Sequence, residues 1–173
     1  MARWTLKQVI QGKSIRRPTH PIIVFFPIAF MAGALMFDIV SRIGVDGLVK
    51  GSTLIVTGAA VTACLAIIPG LLDRSDMRPG SPIHRVATRH MYIQSTATAL
   101  FVVNLIVHWV DYNATTATIP MLLLDAVAAT VVIVGGDAGV QMVFRYGAKV
   151  GTQEPAVQQA PAPAEASTQP EHT

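Results

Sequence analysis

Charge is what this chain has least of: only 13% of its 173 residues are Asp, Glu, Lys or Arg, against about 25% in a typical soluble domain. Cysteine is nearly missing as well. The single Cys64 excludes an intrachain disulfide, CxxC metal knuckles, CxxCH haem attachment and iron–sulfur ligation by this chain alone. Lying in an apolar run, it reads as a small buried hydrophobe. The motifs of soluble enzymes are absent too, with no GxSxG, no P-loop and no Rossmann glycine pattern. The glycines of Gly135-Gly136-Asp137-Ala138-Gly139 sit inside an apolar run rather than after a strand, which argues against phosphate binding. There is no voltage-sensor arginine series, filter-like loop or inverted repeat, and this counts against a transporter. The isoelectric point of about 9.4 does not point to nucleic acid as a partner, because the basic residues flank apolar windows and form no stripe on a soluble fold.

What remains is apolar. Hydrophobic residues make up 51% of the chain and the mean hydropathy is +0.49. Four windows have the length of about 20 residues that a bilayer demands: 21–40, 53–72, 91–110 and 119–144. Each is bounded by charge, Gly or Pro. The expected fold is an all-α, integral membrane four-helix bundle over residues 20–150. Pro27 should bend the first helix, Pro69-Gly70 should end the second, and Pro120 should open the fourth, where its missing N–H costs nothing. A basic leader, 1–19, precedes the bundle. Its Trp4, Leu6, Val9 and Ile10 fit either an amphipathic segment on the lipid surface or a plain polar leader. It makes a poor signal peptide, so the first window is expected to stay as an anchor. The tail 151–173 is rich in Pro, Ala, Gln and Glu and is expected to be disordered. His172 in that tail is given no role, and Asn113-Ala-Thr115 matches a glycosylation sequon by chance.

Eleven of the thirteen basic residues lie before helix one, between helices two and three, or after helix four, leaving Arg42 and Lys50 for the other side. By the positive-inside rule both termini and the middle loop are cytoplasmic, in an inner (plasma) membrane. Small residues provide the seams that let lipid-solvated helices approach: Gly58, Thr62, Ala66 and Gly70 on helix two, Ala29 and Gly33 on helix one, and Ala129, Gly135, Gly136 and Gly139 on helix four. The same residues suit a homo-oligomer face equally well. On helix three, His90, Gln94, Ala97, Phe101, Asn104 and His108 follow steps of four and three, placing one stripe toward the bundle interior.

Ionisable residues inside a membrane are functional candidates, and the topology sorts them into two layers. His20, Asp73, His90, Asp137, Gln141 and the loop residue His84 belong near the cytoplasmic face. Asp38, Asn104, His108, Asp111 and Asp125 belong near the outer one. His20 and Asp38 share a helix face but lie roughly 27 Å apart along it, so they cannot form one site. In the inner layer, His20 and His90 from facing helices suit axial ligation of haem b, and with Asp73 they suit a divalent metal such as zinc. The plain alternative is that these groups pair with one another or with backbone and hold no cofactor. In the outer layer, Asp38, Asn104, His108 and Asp125 suit a proton relay or cation cavity, or else a hydrogen-bonded cluster that fixes helix register.

Three stretches together resemble one bacterial family. His-Pro-initiated HPIIVFFPIAF with Phe37-Asp38, the pair IPGLLD and RVATRH ending at Asp73 and His90, and GGDAGVQMVFRYGAKVG are similar to the opening, middle and closing patterns of the membrane proteins called domain of unknown function 2231. The resemblance covers about residues 18–151. It implies that His20, Asp38, Asp73 and His90 are the positions to carry over, and that redox work is plausible, since some members look fused to Rieske iron–sulfur domains. Gln94 departs from the family's Asn shortly after the His. This chain has no Rieske ligand set, so an iron–sulfur partner has to be a separate protein. The expectation is a non-enzymatic accessory or binding subunit, possibly of membrane redox machinery, with a haem b electron carrier and a proton- or metal-linked transporter as the alternatives.

Overall fold

The computed structural model describes residues 3–149, and among these every regular element is helical. The expectations for the tail, His172 included, lie outside the described residues. In chain order the elements are α1 (Leu6–Ile10), a 3-10 turn (Lys13–Ile15), α2 (Thr19–Ile23), α3 (Phe25–Arg42), α4 (Leu48–Ser75), α5 (Pro82–Val110) and α6 (Ile119–Phe144). α2 and α3 run on as one span, Thr19–Arg42, and with α4, α5 and α6 they make four helices long and apolar enough to cross a membrane. The first span is interrupted at Val24. Pro27 explains the break: it has no N–H for the carbonyl of Ile23, four residues back.

Two helices outrun their apolar windows. α4 begins after Gly47, whose φ of 81° is a left-handed turn conformation, and passes through Pro69-Gly70 to Ser75 instead of ending there. Proline removes one ladder bond, but in a membrane helix the freed carbonyls find other donors. The carbonyl Pro69 leaves without its N–H is that of Leu65; one residue on, the Ala66 carbonyl accepts from a histidine of the first span. α5 begins at Pro82, nine residues before its window, because the Ser81 hydroxyl accepts from the backbone N–H of His84 and Pro82 stands at the first helical turn. His84 and His90 therefore lie within a helix, not in a loop or at a helix start. A hydropathy window marks the part of a helix that lipid requires to be apolar, and capping decides where the helix itself stops.

The four spans form a ring. α3 packs on α4 and α6, and α5 packs on the same two helices, so the first and third spans stand diagonally across the bundle. Met31, Ala34, Val56, Ala59, Ala60, Ala63, Phe101 and Ala128 form the central core. Gly58 and Gly51 leave room for the rings of Phe30 and Phe37, Gly33 faces Ile55, and Gly135 faces Ile93 and Gln94. Two expected seam residues are not seams: Ala29 is exposed, and a Cβ on Gly136 would meet nothing. Cys64 is also exposed, on the lipid-facing side, correcting its reading as a buried hydrophobe. Around the bundle, Leu54, Val61, Leu65, Ile68, Ile106 and Ile133 point outward, as lipid-facing residues must.

The two ends of the bundle differ. At one end, the loop after α5 folds inward: buried Ala117 donates its N–H to Ser41 Oγ (2.9 Å) and its carbonyl accepts from Arg42 Nη1 (2.9 Å). Trp109 stacks on Tyr112 there, with the Lys50 ammonium 5.5 Å from the Tyr112 ring centre, a pattern that suits a membrane–water interface. At the other end the leader docks on the C-terminus of α4. Fully buried Gln11 donates to the Leu72 carbonyl (3.1 Å) and to the carboxylates of Asp73 (3.1 Å) and Asp76 (2.8 Å), while Lys7 and Lys13 pair with Asp76. The leader is thus a folded clamp rather than a polar extension, with Trp4, Leu6 and Val9 left exposed on its far side.

Candidate functional site

The diagonal placement of the first and third spans brings His20 of α2 and His90 of α5 face to face. Their ring centres are 6.3 Å apart and the ring planes are nearly perpendicular, at 88°. Each imidazole is fixed by a backbone carbonyl of a different neighbour: His20 Nδ1 lies 2.9 Å from the Ala66 carbonyl on α4, and His90 Nδ1 lies 2.8 Å from the Gly135 carbonyl on α6. A carbonyl can only accept, so both Nδ1 atoms carry the proton and both Nε2 atoms keep a free lone pair. Glycines make the space. A Cβ on Gly70 would come within 2.9 Å of His20 Cε1, and one on Gly139 would touch His90 Cε1 at 3.4 Å.

The other residues expected in this layer go elsewhere. Asp73 is near-buried but engaged by Lys149 Nζ (2.7 Å) and Gln11. It joins no three-ligand group with the two histidines among the described residues. Asp137 is exposed and accepts from Gln141 Nε2 one turn on (2.7 Å), so this pair serves the helix surface. Gln94 lies against Gly135 and reaches toward the Val132 carbonyl (3.5 Å), beside the imidazoles rather than within their pair. His84 is tied into the start of α5.

Toward the opposite end lies a second cluster, in which Asp38 of α3, Asn104 and His108 of α5 and Asp125 of α6 are all 0% exposed. The helix-three stripe read from sequence does turn inward here, with Ala97, Phe101, Asn104 and His108 buried. His108 Nε2 is 3.3 Å from Asp38 Oδ2 and 4.0 Å from Asp125 Oδ2. These are approaches rather than aligned hydrogen bonds, because His108 Nε2, both oxygens of Asp38 and Asp125 Oδ2 all lack a hydrogen-bond partner. Asn104 donates to the other oxygen, Asp125 Oδ1. The fifth outer-layer residue, Asp111, stands apart at the loop and accepts from Thr118 Oγ1 (3.1 Å). Among the described residues no lysine or arginine pairs with Asp38 or Asp125. A buried carboxylate without a compensating partner is strongly disfavoured, so this cluster calls for a shared proton or a bound cation.

Sequence reasoning overlooked Thr53, whose hydroxyl donates to the Val49 carbonyl (2.8 Å) and lies 3.5 Å from His108 Nδ1. The signal was available, since Val49, Thr53, Val56, Ala60 and Ala63 share the inward face of α4. It also overlooked Gln11, a leader residue whose side-chain amide is buried against α4. Gly70 and Gly139 were legible as small residues but not as the walls of an imidazole site.

The sequence family described as "Predicted membrane protein (DUF2231)" matches residues 16–152, most of the chain. No curated protein and no solved structure matches it.

Proposed function

Since the chain belongs to the DUF2231 family of predicted membrane proteins and has four membrane-length apolar helices, we propose that this multi-pass membrane protein binds haem b between His20 and His90 and relays single electrons to a separate redox protein. The observation that carries this reading is the imidazole pair: two rings from diagonal spans, 6.3 Å apart, each with Nδ1 committed to a carbonyl. A ring-centre separation of 6.3 Å leaves room for a metal ion bonded to nitrogen at about 2 Å, and His20 and His90 would be the residues that hold it. The Nδ1–H···O=C bonds fix the tautomer and set ring orientation, which is how second-shell groups prepare a ligand. Axial ligands in helical bundles come from facing helices in this way. The departure of Asp73 to Lys149 favours a two-histidine site over a His/Asp/His metal site. On the positive-inside reading the site lies in the cytoplasmic half of an inner membrane, beside Arg74 and Arg89. Haem would supply one-electron redox chemistry when bound, and His20 and His90 would supply its ligands.

The test is an optical spectrum of the full chain, purified in mild detergent from haem-replete cells. A Soret band, with sharpened visible bands on reduction, is expected at one haem per chain. His20→Ala and His90→Ala should each abolish the low-spin spectrum while circular dichroism stays helical. Absence of a Soret band in the purified wild type, together with no low-spin spectrum on titration with hemin, would remove the proposal, as would spectra unchanged in the two variants.

A further inference from the structure

The second buried cluster brings polar atoms of three helices together. The hydroxyl proton of Thr53 is taken by the Val49 carbonyl, so the oxygen that faces His108 Nδ1 at 3.5 Å presents a lone pair. That arrangement places the imidazole proton on Nδ1 and leaves Nε2 of His108 unprotonated. Nε2 lies 3.3 Å from Asp38 Oδ2 and 4.0 Å from Asp125 Oδ2, out of line for a hydrogen bond, and none of the three atoms has a hydrogen-bond partner. Three converging acceptors repel one another unless a cation or a shared proton sits among them.

We propose that Asp38, His108 and Asp125 bind one divalent metal ion of the zinc, manganese or iron(II) class within the bundle, with Asn104 as a positioning residue. The spacing fits. Ligand atoms around a tetrahedral ion with bonds of about 2.1 Å lie about 3.4 Å apart, and here the three candidate atoms all fall within 4.8 Å of one another, so small side-chain movements close the site. Charge fits as well: two carboxylates and a neutral imidazole balance one divalent cation, leaving no net charge in a fully buried position. An imidazole nitrogen beside carboxylate oxygens suits first-row transition metals better than an alkali cation or an all-oxygen calcium site. Asn104 holds Asp125 by Oδ1 and so presents Oδ2 to the ion, the outer-shell support that metal ligands characteristically have. The infolded loop, anchored through Ala117 to Ser41 and Arg42, closes this end of the bundle above the cluster.

The competing account is a proton shared within a metal-free cluster, and one experiment separates the two. The full chain is expressed in cells supplied with Zn2+ or with Co2+, purified in detergent, and analysed for metal by mass spectrometry and for ligand-field absorption in the cobalt sample. Expected are one zinc or cobalt per chain, visible cobalt bands of a low-coordinate N/O site, and a more than tenfold loss of metal in Asp125→Asn and His108→Ala. Less than a tenth of an ion per wild-type chain in both preparations overturns the proposal in favour of the shared proton, as does stoichiometric metal that survives Asp125→Asn. If either variant misfolds, the wild-type cobalt spectrum decides alone. Zinc and cobalt carry no porphyrin absorption, so this result stands or falls apart from the haem proposal.

Discussion

Gly70 and Gly136 differ in what one added methyl group would meet, and that difference tests the imidazole site without touching a ligand. At Gly70 a Cβ would lie 2.9 Å from Cε1 and 3.0 Å from Nδ1 of His20, whereas at Gly136 it would meet nothing within 4 Å. The His20 ring cannot swing clear without giving up the Ala66 carbonyl. Gly70→Ala is therefore expected to lower haem occupancy at least tenfold with helicity retained, while Gly136→Ala leaves occupancy unchanged and the helix slightly more stable. Pyridine haemochrome assay of both variants measures this. Asn104→Ala belongs at the same scale: it frees Asp125 Oδ1 inside the bundle and should cost about 0.6–2 kcal/mol in reversible unfolding in detergent, the range of interhelical polar contacts in membranes. Most single residues of both clusters were legible from type and depth alone, since a polar group in an apolar window must turn inward. Their partners were not. Asp73 sits at the same level as His20 and His90 in sequence terms, yet Lys149 and Gln11 hold it, and no spacing rule along one helix reveals which of several nearby polar groups from other elements will reach it first.

Elements show where hydropathy stops being informative. The apolar windows located all four spans, but the start of α5 is set by Ser81 and Pro82 and the end of α4 lies beyond Pro69, features of local capping and of tertiary compensation. The leader is the least legible element, because its basic residues fit lipid headgroups as well as the α4 terminus. What distinguishes the structure is Asp76, whose carboxyl is held well below its ordinary range chiefly by Lys7, then by Gln11 and Lys13. A depressed carboxylate stabilises the docked state above its unfolded pKa, near 4, and that contribution is lost as pH falls through the lower folded value. The leader should thus be fully docked at neutral pH and release progressively as the medium is acidified below about pH 4. Asp76→Asn should loosen it at neutral pH, and added salt should weaken it in the wild type, since the pair with Lys7 and Lys13 is more than a third exposed and such pairs contribute under about 1 kcal/mol. Hydrogen exchange over residues 6–15 reads all three effects, and protection unchanged in Asp76→Asn would show that Gln11 alone docks the leader.

At the scale of the whole molecule, the even number of spans puts the leader, the α4–α5 turn and Lys149 at one end of the bundle, and contacts among them are direct: Gln11 and Lys149 both reach Asp73. This end gathers the arginines and lysines, while the opposite end carries the Trp109–Tyr112 stack with Lys50 and the infolded loop. The two clusters accordingly lie in different halves of the membrane thickness, the imidazole pair beneath the basic end and the Asp38–His108–Asp125 group beneath the aromatic one. The positive-inside rule turns that asymmetry into a direction: a phosphatase fused after Met77 should be inactive and a fluorescent protein at the same point bright, with the pattern reversed for fusions after Asn113. Sidedness then fixes what each site can exchange. A haem held by His20 and His90 would trade electrons with a cytoplasmic-side partner, and a metal held by the deeper carboxylates would be shut from that compartment by the core layer of Met31, Phe101 and Ala128. Active phosphatase after Met77 would invert both assignments, because the geometry ties each cluster to its own end of the bundle and the ends cannot be exchanged without rebuilding the loops that join them.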